Sequence, residues 1–136
     1  METSEFEIEE DIKTFFMSTD QVPAGIPALF EEFEKKINGF ECQHLYGVSE
    51  CVGDKLIYRA CALENFEDEA NQLNLSKYNI PKGIYISTVF KNWRENLQQM
   101  PQTFCELLKL PDVKGGSICL EDYTSPDEML LMVQHK

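Results

Sequence analysis

Long hydrophobic runs and basic residues are both scarce in this sequence of 136 residues. No stretch reaches the roughly 18 consecutive apolar residues typical of a membrane-spanning helix, so we expect no membrane partner. Lysine and arginine number 12 against 24 acidic residues, which gives a formal net charge of −12. Because such a charge repels phosphate backbones and no basic stripe offsets it, we expect no direct binding of nucleic acid.

A secretory leader and the familiar catalytic motifs are also missing. The opening residues, METSEFEIEED, are acidic and contain no apolar segment, so we expect a cytoplasmic protein. No P-loop, dinucleotide-binding glycine motif, nucleophile elbow or zinc-protease motif is present. The five cysteines lack CxxC or Cys/His zinc spacing, and the two histidines lack a suitably spaced partner. We therefore predict no metal, no cofactor and no motif-assigned catalytic residue.

What the sequence does contain is one order of elements that occurs twice. We predict a single domain, 1–136, with pseudo-repeat halves at about 6–64 and 78–135, separated by the polar stretch 65–77. Each half has a strand, an amphipathic helix and two short strands. The predicted elements are 6–17, 26–37, 43–49 and 55–63 in the first half, and 83–89, 100–110, 117–122 and 128–134 in the second. The predicted fold class is α+β, with duplicated βαββ units, antiparallel sheet, two helices and a central cleft.

Apolar stripes and proline positions predict the two helices. Ile26, Leu29, Phe30, Phe33 and Ile37 recur at helical spacing in the first helix. Pro27 and Pro101 each suit a first helical turn, where the missing N–H costs nothing. We expect four side chains on these helices to be nearly inaccessible: Phe30, Phe33, Phe104 and Leu108.

An ordered set of short motifs resembles the GyrI-like small-molecule-binding family, also known as the bacterial transcription activator effector-binding domain, with an SHS2-type duplicated fold. The motifs are FMST at 16–19 with IPALFEEF at 26–33, YGV at 46–48, IPKGIY at 80–85, and LEDY at 120–123. The resemblance implies curved antiparallel sheets around an aromatic-lined cleft. It also implies that Glu121 lies at the floor of a pocket for cationic, aromatic ligands.

The neighbours of Glu121 single it out independently of the resemblance. Ile118, Cys119 and Leu120 precede it, and a carboxylate buried among apolar side chains is costly unless it is paired. Its partner is a ligand cation, a tyrosine hydroxyl or Arg59, whereas a solvated position on the sheet is the alternative. Strand alternation places Glu121 on one face with Tyr123, which favours a position facing the cleft.

Aromatic side chains complete the predicted ligand-binding set, because ring faces around a carboxylate suit a flat cation. The candidates, with Glu121, are Tyr46, Tyr58, Tyr85, Tyr123 and Trp93. Taken singly, each tyrosine is more typical of a residue at the edge of the core. Trp93 is equally compatible with anchoring its loop.

Three functions remain open, in the following order. The first is a stand-alone domain that senses or sequesters an amphipathic or cationic small molecule. The second is a protein-interaction or inhibitor module, like the gyrase-inhibiting relative. The third, implied by resemblance to solitary relatives, is a hydrolase of strained cyclopropane-type genotoxins, with Glu121 as general base and Tyr123 or Tyr85 positioning the substrate. Because no helix-turn-helix is present, any regulation of transcription requires a partner protein.

Overall fold

The eight strands of the computed structural model, which describes residues 1–136, form one antiparallel sheet. The strands are β1 Ser4–Ile8, β2 Ile12–Thr19, β3 Leu45–Val52, β4 Lys55–Leu63, β5 Ser76–Ile80, β6 Gly83–Lys91, β7 Cys119–Asp122 and β8 Glu128–Gln134. The α-helices are α1 Ile26–Lys36, α2 Glu69–Gln72 and α3 Met100–Leu108, and short 3-10 turns at Trp93–Glu95 and Leu97–Gln99 precede α3. The strand order across the sheet is β1-β6-β8-β7-β3-β4-β2-β5.

This order confirms the predicted α+β fold of duplicated βαββ units. The first unit comprises β2, α1, β3 and β4, the second comprises β6, α3, β7 and β8, and the two meet where β3 pairs with β7. The remaining strands are exchanged between the units. β1 pairs with β6 of the second unit, and β5 pairs with β2 of the first. Each unit is therefore extended by a strand from the other half of the chain.

The exchanged strands are where the predicted boundaries are wrong. Segment 6–17, predicted as one strand, is divided into β1 and β2 by a short break. Within this break, the Asp11 carboxylate accepts a hydrogen bond from the backbone N–H of Lys82 at 2.9 Å, which ties it to the β5–β6 turn. The polar stretch 65–77, predicted as a separator, contains α2 and the start of β5. Smaller differences occur at β3, which runs Leu45–Val52 instead of 43–49, and at β7, which begins at Cys119.

Both long helices pack on the same face of the sheet, over separate clusters of buried side chains. The α1 cluster includes Phe33 and Ala60, and the α3 cluster includes Leu107 and Leu131. A third cluster fills the opposite face and receives buried side chains from both edge strands, Ile8 from β1 and Ile80 from β5 among them. Because the two edges contribute to one cluster, the sheet is curled around it. None of the helices has the length and apolar character needed to cross a bilayer.

The inward face of α3 differs by one residue from the prediction. Leu107 is fully buried, whereas Leu108 is 43% exposed, so the expectation that Leu108 is inaccessible is wrong. Consecutive helical residues point about 100° apart, so Leu108 lies at the edge of the buried face when Leu107 points directly into the core. Phe33 and Phe104 are buried as expected, but Phe30 is only half-buried.

We expect Phe33→Ala to lower the free energy of unfolding by about 3–5 kcal/mol, because it removes a fully buried ring and leaves a cavity. The ring packs between Phe15 and Phe40, with centroid distances of 6.1 and 6.0 Å. Leu108→Ala is the matched control, and its effect should be only about 1 kcal/mol, because the side chain is 43% exposed and its removal leaves no enclosed cavity. Urea denaturation measures both. Equal effects would contradict this packing of the helices.

Candidate functional site

Glu121 lies at the junction of the two βαββ units. Its direct cross-strand neighbours are Gly47 on β3 and Leu131 on β8, and Gly47 in turn is opposite Ala60 on β4. Directly opposed residues in an antiparallel sheet share a face. Since Ala60 belongs to the α1 cluster and Leu131 to the α3 cluster, Glu121 lies on the helix-bearing face, between the two clusters.

Two tyrosine hydroxyls hold the Glu121 carboxylate. Tyr58 Oη donates to Oε1 at 2.9 Å, and Tyr123 Oη donates to the same oxygen at 2.7 Å. Glu121 is buried, and no side-chain cation pairs with it. Arg59, considered as its partner, instead donates to Glu50 at 2.7 Å on the opposite face. The partners of this carboxylate within its own chain are therefore neutral hydroxyl groups.

Burial controls the protonation of Glu121, Tyr58 and Tyr123. Loss of solvent raises the pKa of Glu121 above its usual value of 4.5, and the hydrogen bonds from Tyr123 and Tyr58 offset only part of that rise. Burial, followed by the charge of Glu121, also raises the pKa values of Tyr58 and Tyr123 well above 10. Both tyrosines thus remain donors. A cation placed beside Glu121 would favour its charged form and lower its pKa again.

Aromatic rings lie beside the Glu121–Tyr58–Tyr123 group both from the side of α1 and from the side of α3. Phe30 on α1 contacts Tyr58 and Tyr123, with ring centroids 6.1 and 6.3 Å apart. Trp93, in the turn before α3, meets Tyr123 edge-to-face at 5.3 Å. The faces of such rings carry negative electrostatic potential, which favours a cation over an anion.

Gly47 makes room for the cluster. A Cβ atom at this position would lie 2.5 Å from Glu121 Oε1 and would also clash with the Tyr58 hydroxyl. Any side chain here would therefore displace the carboxylate or the hydroxyl that holds it. Because position 47 of β3 has no side chain, Glu121 of β7 and Tyr58 of β4 can meet above the Gly47 backbone.

The structure brings Tyr58, Tyr123 and Trp93 of the predicted set together with Glu121. It places Tyr46 and Tyr85 in the cluster on the opposite face of the sheet. Tyr46 stacks on His44 with centroids 4.6 Å apart, and the Tyr85 hydroxyl donates to the Pro81 carbonyl at 2.6 Å.

Two contributors to the site lie outside the predicted binding residues. Phe30 is predicted from helical spacing as an ordinary core residue, and only its contacts with Tyr58 and Tyr123 place it at the site. Gly47 belongs to the YGV stretch, but its role depends on a cross-strand neighbour, for which the sequence carries no local signal. No group of three or more His, Cys, Asp or Glu side chains is placed to hold a metal ion.

Two surface cavities lie away from Glu121, at the ends of β6 and β2. The first, of about 530 Å³, lies between the N-terminal residues, β6 and α3, with Thr88 and Glu106 in its lining. The second, of about 320 Å³, lies between β2 and the start of α1, with Thr19 and Glu32 in its lining. Neither has Glu121 or its tyrosines in its wall.

Several solved structures of other proteins share this fold. SAV2435, described as bound to tetraphenylphosphonium, matches with a TM-score of 0.76 and 11% identity, over 100% of this chain and 94% of that chain. A Staphylococcus aureus MU50 protein, provisionally described as a bacterial transcription regulation protein, matches with a TM-score of 0.67 and 11% identity, over 98% and 99%. An integron cassette protein from the mobile metagenome of Vibrio cholerae matches with a TM-score of 0.65 and 15% identity, over 98% and 95%.

No family model and no curated protein sequence matches the chain. At identities of 11–15%, the structural similarity establishes the fold alone. The fold is therefore one that also occurs in a protein bound to tetraphenylphosphonium and in a protein described as a regulator.

We expect Gly47→Ala to lower the free energy of unfolding by about 1–3 kcal/mol, because the added Cβ overpacks the space held by Glu121 and Tyr58. Gly115→Ala is the matched control, since a Cβ there meets nothing within 4 Å and its backbone is not left-handed. Chemical denaturation compares the two variants. A Gly47→Ala protein as stable as the control would contradict the close packing described for this site.

Proposed function

We propose that this protein binds hydrophobic, aromatic cations between α1 and the Trp93 turn, with Glu121 recognising the charge. One observation carries the proposal: a buried carboxylate at the junction of the two units has neutral partners only. Buried charges in proteins are generally paired or coordinate a metal, and an unpaired one is costly. A ligand cation supplies the missing counter-charge.

The surroundings of Glu121 support an aromatic or bulky apolar ligand over a small inorganic cation. The carboxylate offers one charged group, whereas Phe30, Tyr58, Tyr123 and Trp93 offer ring surface. Burial of apolar area then contributes most of the affinity, and the cation–π interaction adds to it. Glu121 contributes selectivity for the sign of the charge. This division is typical of small-molecule sites, where a few polar groups orient a mainly apolar ligand.

Binding requires the Phe30 ring to move. Phe30 lies against both tyrosines that hold the carboxylate, so a ligand that reaches Glu121 has to displace it. The ring is half-buried on α1 and also contacts Phe40, at 6.2 Å. Its rotation away from Tyr123 would leave it as one wall of the opened site. In this proposal, ligand binding is thereby coupled to the position of α1, which would suit either sensing through a partner protein or simple sequestration.

Tetraphenylphosphonium, which is bound to the neighbour SAV2435, is a suitable probe, and tetraphenylborate has the same shape with the opposite charge. We expect wild type to bind the phosphonium with a Kd on the order of 1 μM, about −8 kcal/mol, and the borate much more weakly. Glu121→Gln keeps the shape and removes the charge, so it should weaken phosphonium binding about tenfold or more and spare the borate. Quenching of Trp93, the single tryptophan, and calorimetry both measure binding.

Asp122→Asn is the matched control for this experiment. Asp122 is as buried as Glu121, but it lies on the opposite face, where it pairs with His44 at 2.6 Å. Its neutralisation should leave the ratio of phosphonium to borate affinity unchanged. Equal losses for both probes in Glu121→Gln would overturn charge recognition by Glu121. Absence of binding by wild type would overturn the proposal and bring the interaction-module alternative forward.

A hydrolase is another candidate, because a raised carboxyl pKa is also a property of general bases. Both tyrosine hydroxyls bond Oε1, which leaves Oε2 of Glu121 as the oxygen available to a water. Ring opening of an activated cyclopropane by wild type, and not by Glu121→Gln, would favour this candidate. Binding of the cation without turnover of any such compound favours the first.

A further inference from the structure

Trp93 Nε1 is the one buried side-chain nitrogen or oxygen that has no hydrogen-bond partner. Buried polar groups in folded proteins are nearly always paired, and an unpaired donor loses the free energy of solvation without compensation. An indole N–H can only donate, so what it lacks is an acceptor. The other buried donors of the site, the hydroxyls of Tyr58 and Tyr123, both have one in Glu121.

The position of Trp93 connects this orphan donor to the candidate site. Its ring contacts Tyr123 at 5.3 Å, and Tyr123 in turn bonds Glu121. One tyrosine thus separates the unpaired donor from the buried carboxylate, a separation that a single ligand can span. The two groups have opposite requirements, because the carboxylate favours a cation and the indole favours an acceptor.

Arg94 strengthens the polarity at the Trp93 end. Its guanidinium lies over the Trp93 ring, 5.1 Å from the centroid, and it forms no ion pair. Its positive charge favours a group with partial negative charge next to the indole N–H. Glu121 thus offers a negative group at one end of the site, and Arg94 offers a positive group beside the Trp93 ring at the other.

We propose that the ligand is a hydrophobic cation that also carries a carbonyl or amide oxygen, which accepts a hydrogen bond from Trp93 Nε1. This inference rests on the proposed function and narrows its ligand class. The cation lies at Glu121, and the oxygen lies at the Trp93–Arg94 end. A cation of the same shape without the oxygen leaves the indole N–H unpaired, and sites with an unsatisfied polar group discriminate against such analogues.

The test compares (4-acetylphenyl)triphenylphosphonium with (4-isopropylphenyl)triphenylphosphonium, which have the same charge and substituents of similar size, with the carbonyl oxygen of one in the place of a methyl group of the other. We expect wild type to bind the acetyl compound about tenfold more tightly by calorimetry. Trp93→Phe keeps a ring beside Tyr123 and removes the donor, so it should bind the two compounds equally. Tyr85→Phe is the control, since it removes a buried hydroxyl on the opposite face and should keep the preference.

Each outcome bears on a distinct claim. Equal affinities in wild type, with Glu121-dependent binding of both compounds, would overturn the acceptor and leave the proposed function standing. An acetyl preference that persists in Trp93→Phe would also overturn it, because the oxygen would be recognised elsewhere. Failure of wild type to bind either cation would overturn the proposed function together with this inference.

A second readout avoids dependence on the Trp93 variant, should that variant fold poorly. The chain has one tryptophan, so its proton nuclear magnetic resonance spectrum contains one indole N–H signal. We expect this proton to move downfield with the acetyl compound and not with the isopropyl compound. An identical response to the two compounds would contradict a hydrogen bond to the ligand oxygen.

Discussion

The pairing of β3 with β7 is the constraint on which the rest of this structure depends. It joins the two βαββ units and sets Gly47 directly opposite Glu121. Because Gly47 has no side chain, the carboxylate and the Tyr58 hydroxyl occupy the space above it. The same row of the sheet continues to Ala60 under α1 and to Leu131 under α3, so the carboxylate lies between the two helices. The exchanged strands β1 and β5 extend the sheet at its edges and contribute to the cluster on its other face, which keeps the two units in one curled sheet.

This junction combines a charge that the chain leaves without a cation and a donor that it leaves without an acceptor. Glu121 is held by hydroxyls alone, and Trp93 Nε1 is buried without a partner. Buried polar groups without a matching partner lower the stability of a fold, and they occur preferentially at sites where a protein binds a ligand or converts a substrate. The shared fold of SAV2435 and the other neighbours is compatible with such a role, but a fold by itself hosts many functions. We therefore infer ligand binding from Glu121 and Trp93 of this chain and not from its fold.

The elements were predictable from the sequence wherever the signal is local. Helical spacing, helix-initiating prolines and alternating strands identify α1, α3 and most strands, and their repeated order predicts the duplicated βαββ fold. Predictions failed where packing decides. The sequence of β5 is mostly polar because only Tyr78 and Ile80 point inward, so no alternating pattern predicts the strand. In the two-turn helix α3, helical spacing alone does not determine whether Leu107 or Leu108 is the buried residue. Alternation assigns faces within one strand, but register between strands decides that Tyr58 and Tyr123 meet Glu121 whereas Tyr46 and Tyr85 lie on the other face.

The most direct test of this account is the titration of the Glu121 side-chain carboxyl carbon by nuclear magnetic resonance, with Glu121→Gln used to assign its signal. The account predicts a pKa above the usual value of 4.5 in the free protein, because burial disfavours the charge. It also predicts that saturating tetraphenylphosphonium lowers this pKa, because a cation beside the carboxylate stabilises its charged form. A Glu121 pKa at or below 4.5 in the free protein, or one that the bound cation leaves unchanged, would contradict the claim that Glu121 is a buried carboxylate whose counter-charge is a ligand cation.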